Sequence, residues 1–243
     1  MTMTESPSTL TATQIATRDY QIPAADLYRD IHKGIRAELF TITGTAGNID
    51  PSNRCDRAAA ADHVLSVAAV LESHAHHEDE VVDPVLRAHL PDLAEIIHAD
   101  HERLEAMFAQ VTDLAQSLVD APAGEERRLV QLLHLDLARF TSGYLLHQDL
   151  EERTVMQELD RIIGVEACGQ LHAAIVGSIP PAEMARSLAF MLPAMNLDDR
   201  AGMLDGMRMV APPEAFSAVL GLARSVLQPA DFTALATRLG VTS

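Results

Sequence analysis

The chain has 243 residues, 48% of them hydrophobic, and a formal net charge of −17. That length suffices for one large domain or two small ones. So acidic a surface repels a phosphate backbone, and neither nucleic acid nor an anionic membrane is an expected partner. The best apolar run, Val64 to Leu71, is too short to span a bilayer. Met1 to Tyr20 is polar and Thr-rich, without the apolar stretch of a secretory signal, so a soluble, cytoplasmic protein is expected. Two cysteines, Cys55 and Cys168, make no disulfide framework.

The apolar periodicity is helical almost throughout, which predicts an all-α fold. Residues 1–20 read as a flexible tail. A first helix is expected over "IPAADLYRDIHKGIRAELFTIT", Ile22 to Thr43, where Ile31, Ile35, Leu39 and Ile42 repeat at helical spacing. The loop "GTAGNIDPSN" follows. A second helix is expected from about Asp56 to about Leu90, bent or interrupted at Pro84. A third runs from Pro91 to Asp120, and a fourth from Glu125 to Gly164, which ends it. Four long helices with short loops predict an up-down-up-down four-helix bundle over 21–163. The remainder, 165–243, reads as an additional C-terminal helical region with a weak two-fold repeat. "PPAEMARSLAFMLPAMNLDDRAGMLDGM" aligns with "PPEAFSAVLGLARSVLQPADFTALATRL", offset by 32 residues. Each copy reads as a helical hairpin whose Met residues fill core space.

The stretch "HAHHEDE" places three histidines and three acids in seven positions, His74 to Glu80. Residues four apart share a helix face, so His74/Glu78 and His76/Glu80 are both possible pairs; two positions turn the helix by about 200°, and only one pair can face a core. The fourth helix arbitrates. "HQDLEERTVMQ" puts His147 four residues before Glu151. Setting Glu78 against Glu151 also matches Asp79 with Glu152 and Val82 with Val155, and it selects His74 and Glu78. His76, His77, Asp79 and Glu80 are then outer or solvent-facing groups. His32 in the first helix and His101 in the third lie amid apolar stripes, so each of four helices offers a candidate ligand near its middle. His63, His89, His134 and His172 carry no expected role. His98 could share the face of His101.

These residues resemble the hemerythrin-like family, the HHE cation-binding domain, over roughly Tyr20 to Ile163. The resemblance rests on "DIHKGIRAEL", "HAHHEDEVVDP", "HADHERL" and "HQDLEERTVM". It implies a four-helix bundle around two non-haem iron ions with a bridging oxygen species. It implies metal-ligand roles for His32, His74, Glu78, His101, His147 and Glu151, with Glu78 and Glu151 bridging. The oxygen-carrying members have a further His four positions before residue 101; here that residue is Ile97. His98 is the next residue along, which turns it about 100° away from that slot on a helix. The expected site therefore has four histidines rather than five and one more open position.

Imidazole and carboxylate suit iron, zinc, copper and nickel. With two carboxylates against four imidazoles, fewer anions than in ferritin-like sites, diferrous iron should stay accessible. Asp79, Asp100 and Glu152 are placed to orient imidazoles from outside. The expected function is binding O2 or NO, or sensing iron or oxygen. The alternative is a di-iron enzyme acting on peroxide or NO.

Overall fold

The computed structural model describes residues 20–241, and every described regular element is helical. Apart from Tyr20, the expected N-terminal tail lies outside the described residues. The helices are α1 (Arg29–Ala46), α2 (Arg54–His77), α3 (Asp83–His89), α4 (Pro91–Val119), α5 (Glu126–Leu150), α6 (Met156–Ser178), α7 (Pro181–Ala194), α8 (Leu197–Val210), α9 (Pro213–Val226) and α10 (Pro229–Leu239). No single helix among the described residues is long and apolar enough to cross a membrane.

The first helix starts later than its periodicity suggests. The Asp26 carboxylate accepts the backbone N–H groups of Tyr28 and Arg29, both at 3.0 Å, so the segment before them is held in a turn. Asn53 caps α2 by accepting the Cys55 N–H at 3.0 Å. The expected interruption near Pro84 lies upstream of it. The chain makes a π-helical turn over Glu78–Val82, and Pro84 sits in the first turn of α3, where a missing N–H costs nothing. A second π-helical turn, Glu151–Val155, joins α5 to α6. Gln157 stands where the first has Pro84, so proline is not the common cause. What the two turns share is a buried glutamate at their first position. The expected break at Gly164 is present: its φ of 77° suits glycine, and the helical chain resumes beyond it.

α1 packs against α2 and α5, and α4 packs against α2 and α5, so the four long helices enclose one interior. That interior holds two hydrophobic clusters. One includes Ile35, Leu71, Leu104, Phe108, Phe140 and Tyr144. The other includes Tyr28, Val82, Ile97, Val155, Met156 and Cys168. On every one of the four helical strands the candidate ligands fall between a residue of the first cluster and a residue of the second. His32 lies between Tyr28 and Ile35, His74 and Glu78 between Leu71 and Val82, His101 between Ile97 and Leu104, and His147 and Glu151 between Tyr144 and Val155.

The C-terminal repeat is visible as geometry. α7 and α9 begin 32 residues apart and end 32 residues apart, and α8 and α10 begin 32 apart. α7 lies beside α9 and α8 beside α10 over a core of Leu188, Leu192, Leu204, Leu235 and Leu239, with Met184, Met203 and Met207 packed against it. α7 also covers α1. Gly34 makes that approach possible: a Cβ there would lie 2.5 Å from Phe190 Cδ2 and 3.2 Å from the Met191 Cα. Gly34→Leu should therefore destabilise the protein by about 1–3 kcal/mol through overpacking. Thermal denaturation of Gly34→Leu, Phe190→Ala and the double variant checks this. The double variant should be more stable than the two single losses add up to, because Phe190→Ala removes the clash.

Candidate metal centre

The spacing of four residues does its work twice. It brings His74 Nε2 to 3.2 Å from Glu78 Oε1, and His147 Nε2 to 3.2 Å from Glu151 Oε1. The carboxylates then reach across the interior. Glu78 Oε2 is 3.4 Å from His101 Nε2, and Glu151 Oε2 is 3.4 Å from His32 Nε2. The Nε2 atoms of His32 and His74 approach to 3.1 Å. Two groups result: His32, His74, Glu78 and Glu151 offer donor atoms within 4.8 Å of one another, and so do Glu78, His101, His147 and Glu151. Both carboxylates belong to both groups. All six sequence-selected residues are thus brought together, and the most exposed of their side chains, those of Glu78 and His74, are only 9% and 8% exposed.

The remaining candidates fall outside. His76 and Glu80 pair with each other at 3.4 Å on the surface, 62% and 57% exposed. His98 lies beside Glu102 on the outer face of α4, 46% exposed. His63 pairs with Glu38 at 2.7 Å, and His134 Nδ1 meets the Thr43 carbonyl at 3.2 Å. His77 differs from its expected outer role. It is buried, with Nε2 3.2 Å from Glu183 Oε1 and Nδ1 3.2 Å from Ser178 Oγ, so it faces the C-terminal helices.

Outer acids bond two of the imidazoles by Nδ1 and stand behind a third, leaving Nε2 pointing inward. His32 Nδ1 meets Glu152 at 3.0 Å, His101 Nδ1 meets Asp79 at 3.0 Å, and His147 Nδ1 lies 3.7 Å from Asp100. Such partners fix ring orientation and raise donor basicity. The π-helical turns make this possible: each begins at the shared glutamate, and the next residue, Asp79 or Glu152, reaches a histidine on another helix. Sequence reasoning missed Arg36, whose guanidinium donates to both oxygens of Glu152 at 2.7 and 2.9 Å. It also missed Tyr28 and Tyr144, whose rings lie 5.2 Å from His32 and 5.7 Å from His147. The signal was available: Tyr28 and Arg36 lie four residues either side of His32.

The protein alone does not satisfy this interior. Both oxygens of Glu78, His101 Nε2, His147 Nδ1 and Glu151 Oε2 are buried without a hydrogen-bond partner. Unpaired buried polar atoms are costly, and a cation between them would satisfy most at once. Protons serve in its absence. Burial, the largest single influence on His101, disfavours its charged form, but Glu151 and Glu78 outweigh it and hold the pKa up at about 11. Burial likewise opposes charge on His147, yet Glu151 and Asp100 raise it to about 9. Glu151 is held well below the carboxylate range: burial works against ionisation, and His147 and His101 overcome it. His74 goes the other way, pushed down to about 4, chiefly by burial against the partial support of Glu78.

The hemerythrin family description, "Hemerythrin HHE cation binding domain", matches residues 24–159, more than half of the chain. The chain belongs to that family, and its His/Glu clusters make it a metal-binding member by design of the donor set. No curated protein and no solved structure is significantly similar to it.

Metal ligation requires neutral imidazole, so loading must expel the protons on His101 and His147. At pH 7.5, metal uptake should release about two protons per chain, one from each. Release should fall to about one as pH rises through about 9, the folded pKa of His147. Apparent metal affinity should rise with pH across the same range. In the metal-free protein the sign is opposite. Both histidines favour folding fully below the ordinary pKa of 6.5, and that contribution fades as pH climbs through about 9 and about 11. Metal titration in weak buffer with a pH indicator checks the first part, and metal-free thermal stability against pH the second.

Proposed function

We propose that this chain is a cytoplasmic non-haem di-iron protein that binds a small diatomic ligand, O2 or NO, or senses iron or oxygen through the same centre. The observation that carries the proposal is the sharing of Glu78 and Glu151 by both histidine groups. A lone metal site needs no such sharing; two neighbouring metals bridged by carboxylates do. In this reading α1, α2, α4 and α5 form the family's up-down-up-down bundle. His32 and His74 would hold one iron, and His101 and His147 the other. Two irons there would supply reversible redox chemistry toward a small ligand. The protein's own contribution is to fix the imidazoles through Glu152, Asp79 and Asp100, and to keep bulky reductants out of the bundle interior.

A second reading is a di-iron enzyme acting on peroxide or NO. The specific observation in its favour is Ile97, buried at the edge of the centre where oxygen-carrying relatives have a fifth histidine, with His98 turned outward. One more position is then open than a reversible carrier requires.

Protein reconstituted with iron should hold about two irons per chain by elemental analysis. His74→Ala and Glu78→Ala should each lose most of that iron, whereas His76→Ala and Glu80→Ala should keep it, since the latter pair is exposed and distant from the donor groups. A reversed pattern would move the site by two residues along α2. Ile97→His separates carrier from enzyme. Supplying the fifth imidazole should slow oxidation of the reduced protein in air, followed by visible absorption; an unchanged or faster rate counts against the reading of Ile97 as the open position.

A further inference from the structure

The second hydrophobic cluster is not closed where it meets the donor layer. A cavity of about 10 Å³ remains there, walled by Tyr28, Val82, Leu86 and Ile97 and floored by His101, Glu78 and Glu151. That volume accommodates about one water-sized molecule. Its floor carries buried atoms with no partner among the described residues: His101 Nε2, both Glu78 oxygens and Glu151 Oε2. The cavity is one-sided. His101 borders it, while His32 and His74 do not. Its cause is visible in the sequence: Ile97 lies one helical turn before His101, on the same face, and its short branched side chain leaves space that an imidazole would fill.

The walls also say what kind of molecule fits. Val82, Leu86 and Ile97 offer only apolar surface. Two acids border the cavity toward solvent, and both are engaged: Asp79 with His101 Nδ1 at 3.0 Å and Asp83 with Arg87 at 2.6 Å. Tyr28 is the neutral donor among the lining residues.

We propose that this cavity, beside His101, receives the small ligand, and that Tyr28 donates a hydrogen bond to it. The ligand class is a very small uncharged molecule with a lone pair for the phenol, and nitric oxide is the probe. The proposal rests on the di-iron reading and adds which of the two metal positions is open, what bounds it and which residue recognises the ligand.

The test uses the full chain, loaded with iron, reduced, and titrated with nitric oxide without oxygen. Visible absorption and electron paramagnetic resonance follow binding, and iron per chain is measured for every variant. Ile97→Phe, which fills the cavity, should weaken binding by about tenfold or more at unchanged iron content. Tyr28→Phe keeps the ring and removes the donor; nitric oxide should leave roughly threefold to tenfold faster, again with iron unchanged. Wild-type affinity and dissociation in both variants at full iron content would overturn the cavity and Tyr28 while leaving the di-iron reading intact. A wild-type chain that takes up no iron would overturn that reading and the pocket with it. Should Ile97→Phe fail to fold or lose iron, the dissociation rate of Tyr28→Phe decides alone.

Discussion

Two carboxylates at the centre of a helical interior set the terms for everything around them. Glu78 and Glu151 are 7% and 1% exposed, between hydrophobic clusters that admit no bulk water. A carboxylate there must be compensated by positive charge or by hydrogen bonds, or the chain would gain by not folding. The compensation comes from all four long helices at once, through His32, His74, His101 and His147. Because no helix supplies it alone, the polar layer also fixes the register of the helices against one another. A slip of one turn on any of them would put a histidine against Leu or Phe and leave a carboxylate bare.

The layer has an approximate internal symmetry. His74, Glu78, Asp79 and Val82 correspond to His147, Glu151, Glu152 and Val155, and each set contains a π-helical turn starting at its glutamate. Such a turn admits one extra residue per turn of helix, so the glutamate and the acid after it can serve different histidines. The symmetry is broken where chemistry would feel it. Among the described residues the acid behind His101, Asp79, has no arginine partner, whereas Glu152 behind His32 is tied to Arg36 and Asp100 behind His147 to Arg103. The cavity beside Ile97 lies on the His101 side only. Two donor groups built from the same residue types therefore differ in their surroundings and in access.

Much of the site was legible in the sequence because its geometry is helical, and helical geometry converts directly into spacing. His74/Glu78 and His147/Glu151 follow from a period of 3.6, and matching the second helix to the fourth removed the competing pair His76/Glu80. The outer acids Asp79, Asp100 and Glu152 were legible by adjacency alone. Other features left no local trace. The π-helical turns have no composition of their own, and Pro84 drew attention to a point just past the end of the actual irregularity, Glu78–Val82. The start of α1 depends on two hydrogen bonds donated to the Asp26 carboxylate, which apolar periodicity does not register. His77 reads as solvent-facing on α2 taken alone; only the arrival of Glu183 and Ser178 from more than 100 residues away buries it. Long-range contacts of that kind lie beyond any spacing rule.

The C-terminal helices reach the centre through the neighbours of its ligands. Lys33, next to His32, pairs with Asp199 of α8, and Arg29 approaches the same carboxylate at 3.8 Å. His77, next to Glu78, pairs with Glu183 of α7, to which Ser73, next to His74, also donates. Gly34, two residues past His32, lies under the Phe190 ring. Three of the six candidate ligands thus have a chain neighbour bonded to the extension, all on α1 or at the end of α2, the side that carries His32 and His74. The neighbours of His101 and His147 make no such bonds; Asp100 holds Arg103 within its own helix instead. A helix transmits small displacements along its length because its backbone is rigid, so support at Lys33 and Gly34 is support at His32. One half of the donor layer is therefore braced by the repeat region, while the other, beside the Ile97 cavity, has no such brace among the described residues. That division follows the same line as the asymmetry in access, and it leaves the more open side the less constrained one.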